Sequence, residues 1–238
     1  MNIRFISVFL TLSFCIYPSP LFIKDIPVPE GFKRISYPEH SFSSYLQNLP
    51  LKKENKVLSY QKKDLSDWYD SIAVINKPLL FHDDLEQCAD FSMRLWADYH
   101  KESGKLDELY LFNYPGQKQY FKNSKKDYFR FLRNAFASSN SYSLKKGATS
   151  VLKENLKPGD LFVQNETGGI GHVSIILDSA NDQNKKLYLV GFSFMPAQEM
   201  HIERSPTDKG KNGWFSYEGF LQHLQSKYPY GNPVLRRF

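Results

Sequence analysis

Cysteine is scarce in this 238-residue chain, which carries only Cys15 and Cys88. Two cysteines exclude a disulfide scaffold, a four-cysteine zinc site and a cysteine-ligated iron–sulfur cluster. No apolar run reaches about 18 residues, so a conventional transmembrane helix is excluded. The chain has no P-loop, no GxGxxG, no HExxH and no Gly-x-Ser-x-Gly elbow, so none of the corresponding sites is supported: nucleotide, dinucleotide, zincin or serine-hydrolase. Thirteen Gly and thirteen Pro exclude collagen-like and low-complexity repeats. No cofactor or metal is expected, and His82-Asp83-Asp84 reads as a helix cap on a loop rather than a metal cluster.

Aromatic side chains are abundant, with 19 Phe, 15 Tyr and 3 Trp, and the net charge is a moderate +6. Such a chain folds rather than staying disordered. The lysine pairs at 52–53, 62–63, 125–126, 145–146 and 185–186 are scattered, whereas a nucleic-acid surface concentrates its charge on one stripe. They read as a solvated face, and no nucleic-acid partner is expected.

Residues 1–20, MNIRFISVFLTLSFCIYPSP, begin with Arg4, continue through an apolar stretch from Phe5 to Tyr17 and break at Pro18 and Pro20. That is the shape of a secretory signal peptide, although no Ala-x-Ala precedes the breaks. Leu12-Ser13-Phe14-Cys15 loosely resembles a lipobox, in which Cys15 would carry a lipid anchor. The expected organisation is a signal peptide over 1–20 and a single domain over 21–238, exported to the periplasm, cell envelope or medium. Cys88 is then the one cysteine of the mature chain, a lone thiol in an oxidising compartment.

Along the mature chain, a short helix is predicted over Phe42–Leu49 and short strands over Val57–Tyr60 and Ile72–Ile75. The strongest helix is predicted over 84–101, with Asp83 and Glu86 as its capping pair and Leu85, Cys88, Ala89, Ser92, Leu95, Trp96 and Tyr99 on one face. A second, over 125–138, would be capped by Ser124 and Asp127. Beyond residue 155 the texture becomes β-type: Leu161–Gln164, His172–Leu177, Leu187–Phe194 and Met200–Glu203 read as an antiparallel meander. A last helix over Tyr217–Ser226 and a strand over Val234–Phe238 follow. Helices first and strands second predict an α+β domain.

Chemistry points to Cys88 and His172. A helix-borne cysteine facing a strand-borne histidine is the layout of a thiol hydrolase: the imidazole takes the thiol proton, and the helix N-terminus favours the thiolate. A Cys on a helix, then Pro158-Gly159-Asp160-Leu161, then Gly171-His172-Val173-Ser174-Ile175, is similar to the papain-like NlpC/P60 and CHAP hydrolases. That resemblance implies a papain-like core and cleavage of amide or peptide bonds, mainly in peptidoglycan. A second resemblance spans almost the whole mature chain. It rests on Gly31-Phe32-x-Arg34, Leu49-Pro50-Leu51-Lys52, Leu85-Glu86-Gln87-Cys88-Ala89-Asp90 and Met195-Pro196-Ala197-Gln198-Glu199. On these segments the chain is identified as a member of the uncharacterised bacterial DUF4846 family, a resemblance that supplies no reaction.

The leading expectation is an exported thiol hydrolase with Cys88 as nucleophile and His172 as base, acting on peptidoglycan or peptide. Gln87 or backbone N–H groups near the helix start would stabilise the oxyanion. Two features count against activity. An Asp83 cap makes Cys88 the fifth helical residue, where the helix field has faded, and Asp84 and Glu86 would raise its pKa. A hairpin turning at Asp182, which makes Asp178 a turn residue, places position 192 opposite His172. Papain-like enzymes carry an orienting polar residue there, and the DUF4846 resemblance implies Ala-Gln where this chain has Gly191-Phe192. Ser193 or Gln198 could substitute. The alternative is a non-catalytic envelope module that binds glycan or peptide in an aromatic cleft lined by Trp214, Phe215, Tyr217 and Phe220. A purely structural lipoprotein anchored through Cys15 is a third.

Overall fold

The computed structural model describes residues 21–238, so the signal peptide expected over 1–20, with Cys15, lies outside the described residues. Five α-helices form: α1 (Phe42–Gln47), α2 (Cys88–Glu102), α3 (Tyr128–Ala137), α4 (Ser141–Gly147) and α5 (Tyr217–Lys227). The strands are β1 (Lys33–Arg34), β2 (Ser71–Val74), β3 (Tyr110–Phe112), β4 (Lys118–Tyr120), β5 (Thr149–Ser150), β6 (Leu161–Gln164), β7 (His172–Asn181), β8 (Lys186–Phe192), β9 (His201–Glu203), β10 (Phe215–Ser216) and β11 (Val234–Arg237). The architecture is α+β. A mostly antiparallel sheet runs β2-β9-β8-β7-β6-β11-β5, with β1 on β7, β10 on β8 and a separate β3-β4 hairpin.

β7 and β8 are buried along nearly their whole length, because both faces of the sheet are covered. Strand alternation divides β7 between two layers. Val173, Ile175 and Leu177 join the core that holds the α2 residues Phe91 and Leu95. Ile176 joins Phe192, Phe220, Leu224 and Tyr228 in the layer beneath α5. This second layer absorbs most of the aromatic cluster expected to line a cleft. Phe215 and Phe220 are fully buried, and Trp214 is buried in the first core with its indole N–H donated to the Pro27 carbonyl. Trp214, Phe215 and Phe220 are core, because a two-sided sheet needs large apolar cover on each face, while Tyr217 packs half-buried against them.

The start of α2 departs from expectation, and the reason is electrostatic. Residues 83–87 are not helical. Glu86 is fully buried, its carboxylate 2.7 Å from the Arg94 guanidinium and accepting the Leu80 N–H at 2.7 Å. Asp83 instead pairs with Arg133. Gln87 therefore becomes the N-cap residue, and Asp90, three residues on, accepts the Gln87 backbone N–H at 3.1 Å. Arg94 also donates to the Pro78 carbonyl and approaches Asp98, which takes Lys77 and the Tyr128 hydroxyl. One buried network thus ties the 77–87 segment, α2 and α3 together.

Other differences are smaller. Asp127, not Ser124, caps α3 by accepting the Arg130 N–H. Residues 57–60 make only isolated bridges, Leu58 to Asp64 and Ser59 to Gln198. β7 runs on to Asn181, so Asp178 is a buried strand residue held by Arg34 and Gln47, not a turn residue.

Removing one partner of a buried pair strands the other charge, at a cost of about 3–5 kcal/mol. Glu86→Ala is therefore expected to lower the urea-denaturation free energy by that amount, while a charge removal at exposed Glu39 is expected to leave it within about 0.5 kcal/mol.

Candidate functional site

α2 begins at Cys88 itself, so the thiol sits at the first helical position rather than the fifth. There the helix dipole favours a thiolate. The Val173 backbone N–H, freed where β8 has ended, is also directed at the sulfur. Burial nevertheless wins. Cys88 is only 7% exposed, and desolvation pushes its thiol up to about 12, against the Val173 and Ala89 N–H groups that pull it down.

Cys88 lines an open groove of about 460 Å³ with Asp84, Gln87, Asn140, Gly171 and Met195. Gly171 is required by close approach: a Cβ there would lie 2.3 Å from the Gln164 carbonyl oxygen and 2.4 Å from the Ser141 hydroxyl. The Gly-His dipeptide thus owes its glycine to the packing of β7's start against α4. Gln87 turns its amide to Asp84, donating to the Asp84 carbonyl at 3.3 Å and carboxylate at 3.1 Å. Asp84 in turn accepts the Ala197 N–H at 2.6 Å, which fixes the loop bearing Met195 over the groove.

His172 lies in a different layer. Its ring stacks on Tyr228 (4.2 Å between centroids, 9° between planes) and on Phe192 (5.5 Å, 19°), with Phe194 edge-on. Nε2 meets the Ser174 hydroxyl at 2.9 Å, and Nδ1 is buried without a partner. No hydrogen bond joins His172 to Cys88, and His172 does not line the groove. Burial drives its pKa down to about 3, so the ring is neutral.

The register of the β7–β8 hairpin differs from the expected one. Ile175 pairs with Gly191 and Ile176 with Val190, and an irregularity before Asp178 shifts the rest. Carried past the end of β8, this pairing puts Phe194 opposite His172, with Phe192 stacked beside it. Both positions that could orient the ring are therefore aromatic. The two polar substitutes are engaged elsewhere: Ser193 donates to the Gln198 carbonyl at 2.8 Å, and the Gln198 amide donates to the Tyr69 hydroxyl at 2.7 Å. The structure thus brings Cys88 and Gln87 together at one groove and leaves His172, Ser193 and Gln198 out of hydrogen-bond contact with the thiol.

Sequence reasoning passed over a second cluster in the α5 layer. Glu203 on β9 sits 3.2 Å from His223 Nε2 and contacts Lys227. His201, fully buried, lies tilted against Tyr69 with ring centroids 4.2 Å apart, and neither of its ring nitrogens has a hydrogen-bond partner. Only alternation along β9 could have signalled this, since His201 and Glu203 share a strand face with no local motif. Among the described residues, no group of three or more His, Cys, Asp or Glu side chains could hold a metal ion. No helix among them is long and apolar enough to cross a membrane.

The fold and site define an α+β protein whose one cysteine among the described residues opens a helix at the rim of an antiparallel sheet. The sequence matches the family DUF4846, a domain of unknown function, over residues 23–123 and 113–237, and the chain belongs to that family. No curated protein and no solved structure matches it.

The buried histidines make one contribution to the pH response of stability, and the carboxyls of Glu86, Asp90 and Asp178, raised by burial, make one of opposite sign. Desolvation holds His172 and His201 at about 3 and about 4, below the ordinary value near 6.5 of an unfolded chain. Both are then unprotonated in the folded state while the unfolded state takes up protons. Their contribution is complete above pH ~6.5 and is lost as pH falls towards 4. Between pH 7 and 4.5 the chemical-denaturation midpoint of the wild type is expected to fall relative to that of His201→Phe, which lacks the titrating ring.

Proposed function

We propose that this protein is a non-catalytic binding module of the cell envelope, which takes peptide or glycan in the groove at Cys88. One observation carries the reading: the His172 imidazole is packed among Phe192, Phe194 and Tyr228 with Nδ1 unpartnered. A general base must accept a proton at its working pH while aimed at the nucleophile. His172, with its pKa driven down to about 3, is a weak proton acceptor, and its one hydrogen bond is to the Ser174 hydroxyl, not to the thiol. Cys88, with its thiol pushed up to about 12, is no thiolate near neutrality.

An envelope location is supported by the signal-peptide character of residues 1–20. A net charge of +6 favours docking on anionic wall or membrane surfaces, as a salt-sensitive attraction. The groove supports ligand binding because it is open, mixed in polarity and lined by residues from four separate segments.

A second reading, a thiol hydrolase of papain-like descent, is favoured by the position of Cys88 at the first turn of α2 with the Val173 N–H on its sulfur. In that reading the imidazole acts as the base despite Phe192, which stands where the DUF4846 resemblance implies Gln.

Alkylation by iodoacetamide separates the two. The binding module predicts slow modification of Cys88 from pH 6 to 8, unchanged in His172→Ala, with the protein cosedimenting with purified peptidoglycan sacculi and releasing no new amino groups. Fast alkylation near pH 6 that collapses in His172→Ala, or amine release from sacculi, would establish the hydrolase instead. Phe192→Gln is expected to raise the His172 titration midpoint towards the ordinary value, read from the ring proton shifts in NMR, because it replaces an apolar face by a hydrogen-bonding amide.

A further inference from the structure

A second groove, of about 580 Å³, opens between the β3–β4 hairpin and α3. β4 pairs only with β3, and its three residues are exposed. Phe112 and Phe131 form a buried floor. The walls are amides and hydroxyls, from Gln119, Asn123, Asn134, Ser124 and Ser138. Gln119 reaches no further than its neighbour's carbonyl, at 3.4 Å. The Asn123 and Asn134 side chains have no hydrogen-bond partner among the described residues, and all three amides are exposed to a ligand. Tyr120, 37% exposed, sets one aromatic ring at the same edge. Ala137, the last residue of α3, lines both this groove and the one at Cys88, so the two run together there.

Charge at this groove has one sign. Lys118 and Lys126 line it, and no Asp or Glu does. The lysine pairs are scattered along the chain, but the net charge is not. Residues 113–134 hold Lys118, Lys122, Lys125, Lys126, Arg130 and Arg133 against the single acid Asp127, which leaves five of the chain's six net positive charges in this stretch. Asp127 and Asp83 take up the two arginines. The four lysines have no carboxylate partner among the described residues. Two of them lie against rings instead, Lys118 3.9 Å from the Tyr110 centroid and Lys122 5.8 Å from that of Tyr120. Unpaired lysines around one cleft attract an anion.

The rest of the lining decides which anion. An amide both donates and accepts, as a hydroxyl does, so unengaged Asn and Gln side chains match a polyhydroxylated ring better than acidic side chains, which only accept. A nucleic-acid strand calls for several stacking rings and arginine forks, and this groove has one exposed ring and no arginine. A membrane surface calls for protruding apolar side chains, whereas Phe112 and Phe131 are sunk at 1% and 5% exposure. We infer that the groove between β4 and α3 binds an acidic glycan, with Lys118 and Lys126 facing its anionic groups and Gln119, Asn123 and Asn134 facing its hydroxyls. This site goes beyond the Cys88 groove and does not depend on what that groove binds.

The test follows the amides of the full, isotope-labelled chain by NMR while hexagalacturonate is added. A saturable shift centred on Gln119, Asn123 and Asn134 is expected, and it weakens as sodium chloride is raised. Lys118→Gln combined with Lys126→Gln is expected to reduce affinity about tenfold, the worth of two exposed charge contacts. Asn134→Ala is expected to reduce it severalfold with every charge in place, which a purely electrostatic surface would not show. All three positions are exposed, so an unchanged spectrum elsewhere certifies the fold. No shift at these amides, or affinity retained in both variants, overturns the assignment. Equal shifts with N-acetylchitohexaose overturn the acidic requirement, and equal shifts with hexa-aspartate or a thymidine hexanucleotide overturn the glycan. Lysine-dependent cosedimentation with phosphatidylglycerol vesicles, without a hexagalacturonate shift, makes this face a membrane contact instead. None of these outcomes alters Cys88 alkylation, which tests the other groove.

Discussion

The pairing of Glu86 with Arg94 decides where α2 begins, and the rest of the Cys88 groove depends on that start. A carboxylate at zero exposure is tolerable only beside a cation and further donors, and here it has the guanidinium and the Leu80 N–H. Holding Glu86 inward bends the chain over residues 83–87 out of the helix. Gln87 is left as the cap, Cys88 as the first helical residue, and Asp90 as the residue that closes the first turn. Arg94 extends the constraint to Pro78 and Asp98, and through Asp98 to Lys77 and Tyr128. A single buried network thereby fixes both the helix that carries the thiol and the loop that faces it.

The same helix start shows how two electrostatic effects of opposite sign are settled by exposure. A cysteine at the first turn gains from the helix dipole, an effect of roughly 0.3–1 kcal/mol at ordinary sites. Desolvation of a nearly enclosed thiol outweighs it, and the sulfur stays protonated. Fully buried, His172 obeys the same rule in the other direction: burial among aromatic rings keeps it neutral. Each residue has the identity a thiol enzyme needs and an environment that opposes the charge state it would require. The contrast separates residue type from residue chemistry, and only the latter bears on function.

The β7–β8 hairpin illustrates the limits of register read from a turn. Strand boundaries for Leu161–Gln164 follow directly from a short apolar run bounded by turn residues. The partner of His172 does not. The turn lies between Asn181 and Lys186, further along the chain than Asp182, which displaces the pairing by three residues, and the irregularity between Ile176 and Asp178 restores only one of them. Asp178 read as a turn residue for a related reason: an acidic residue near a predicted turn is normally exposed, and only Arg34 and Gln47, 144 and 131 residues away, make its burial possible.

The sequence by itself determined the α+β class, the longer helices and the central strands, the membership of DUF4846 and the prominence of Cys88 and His172, because these follow from local periodicity and from short motifs. Tertiary structure decided the start of α2, the burial of the Trp214 and Phe220 cluster and the separation of His172 from the thiol. Each of these is set by partners distant along the chain or by desolvation, and neither a long-range ion pair nor the loss of water around a side chain is encoded in its immediate neighbours.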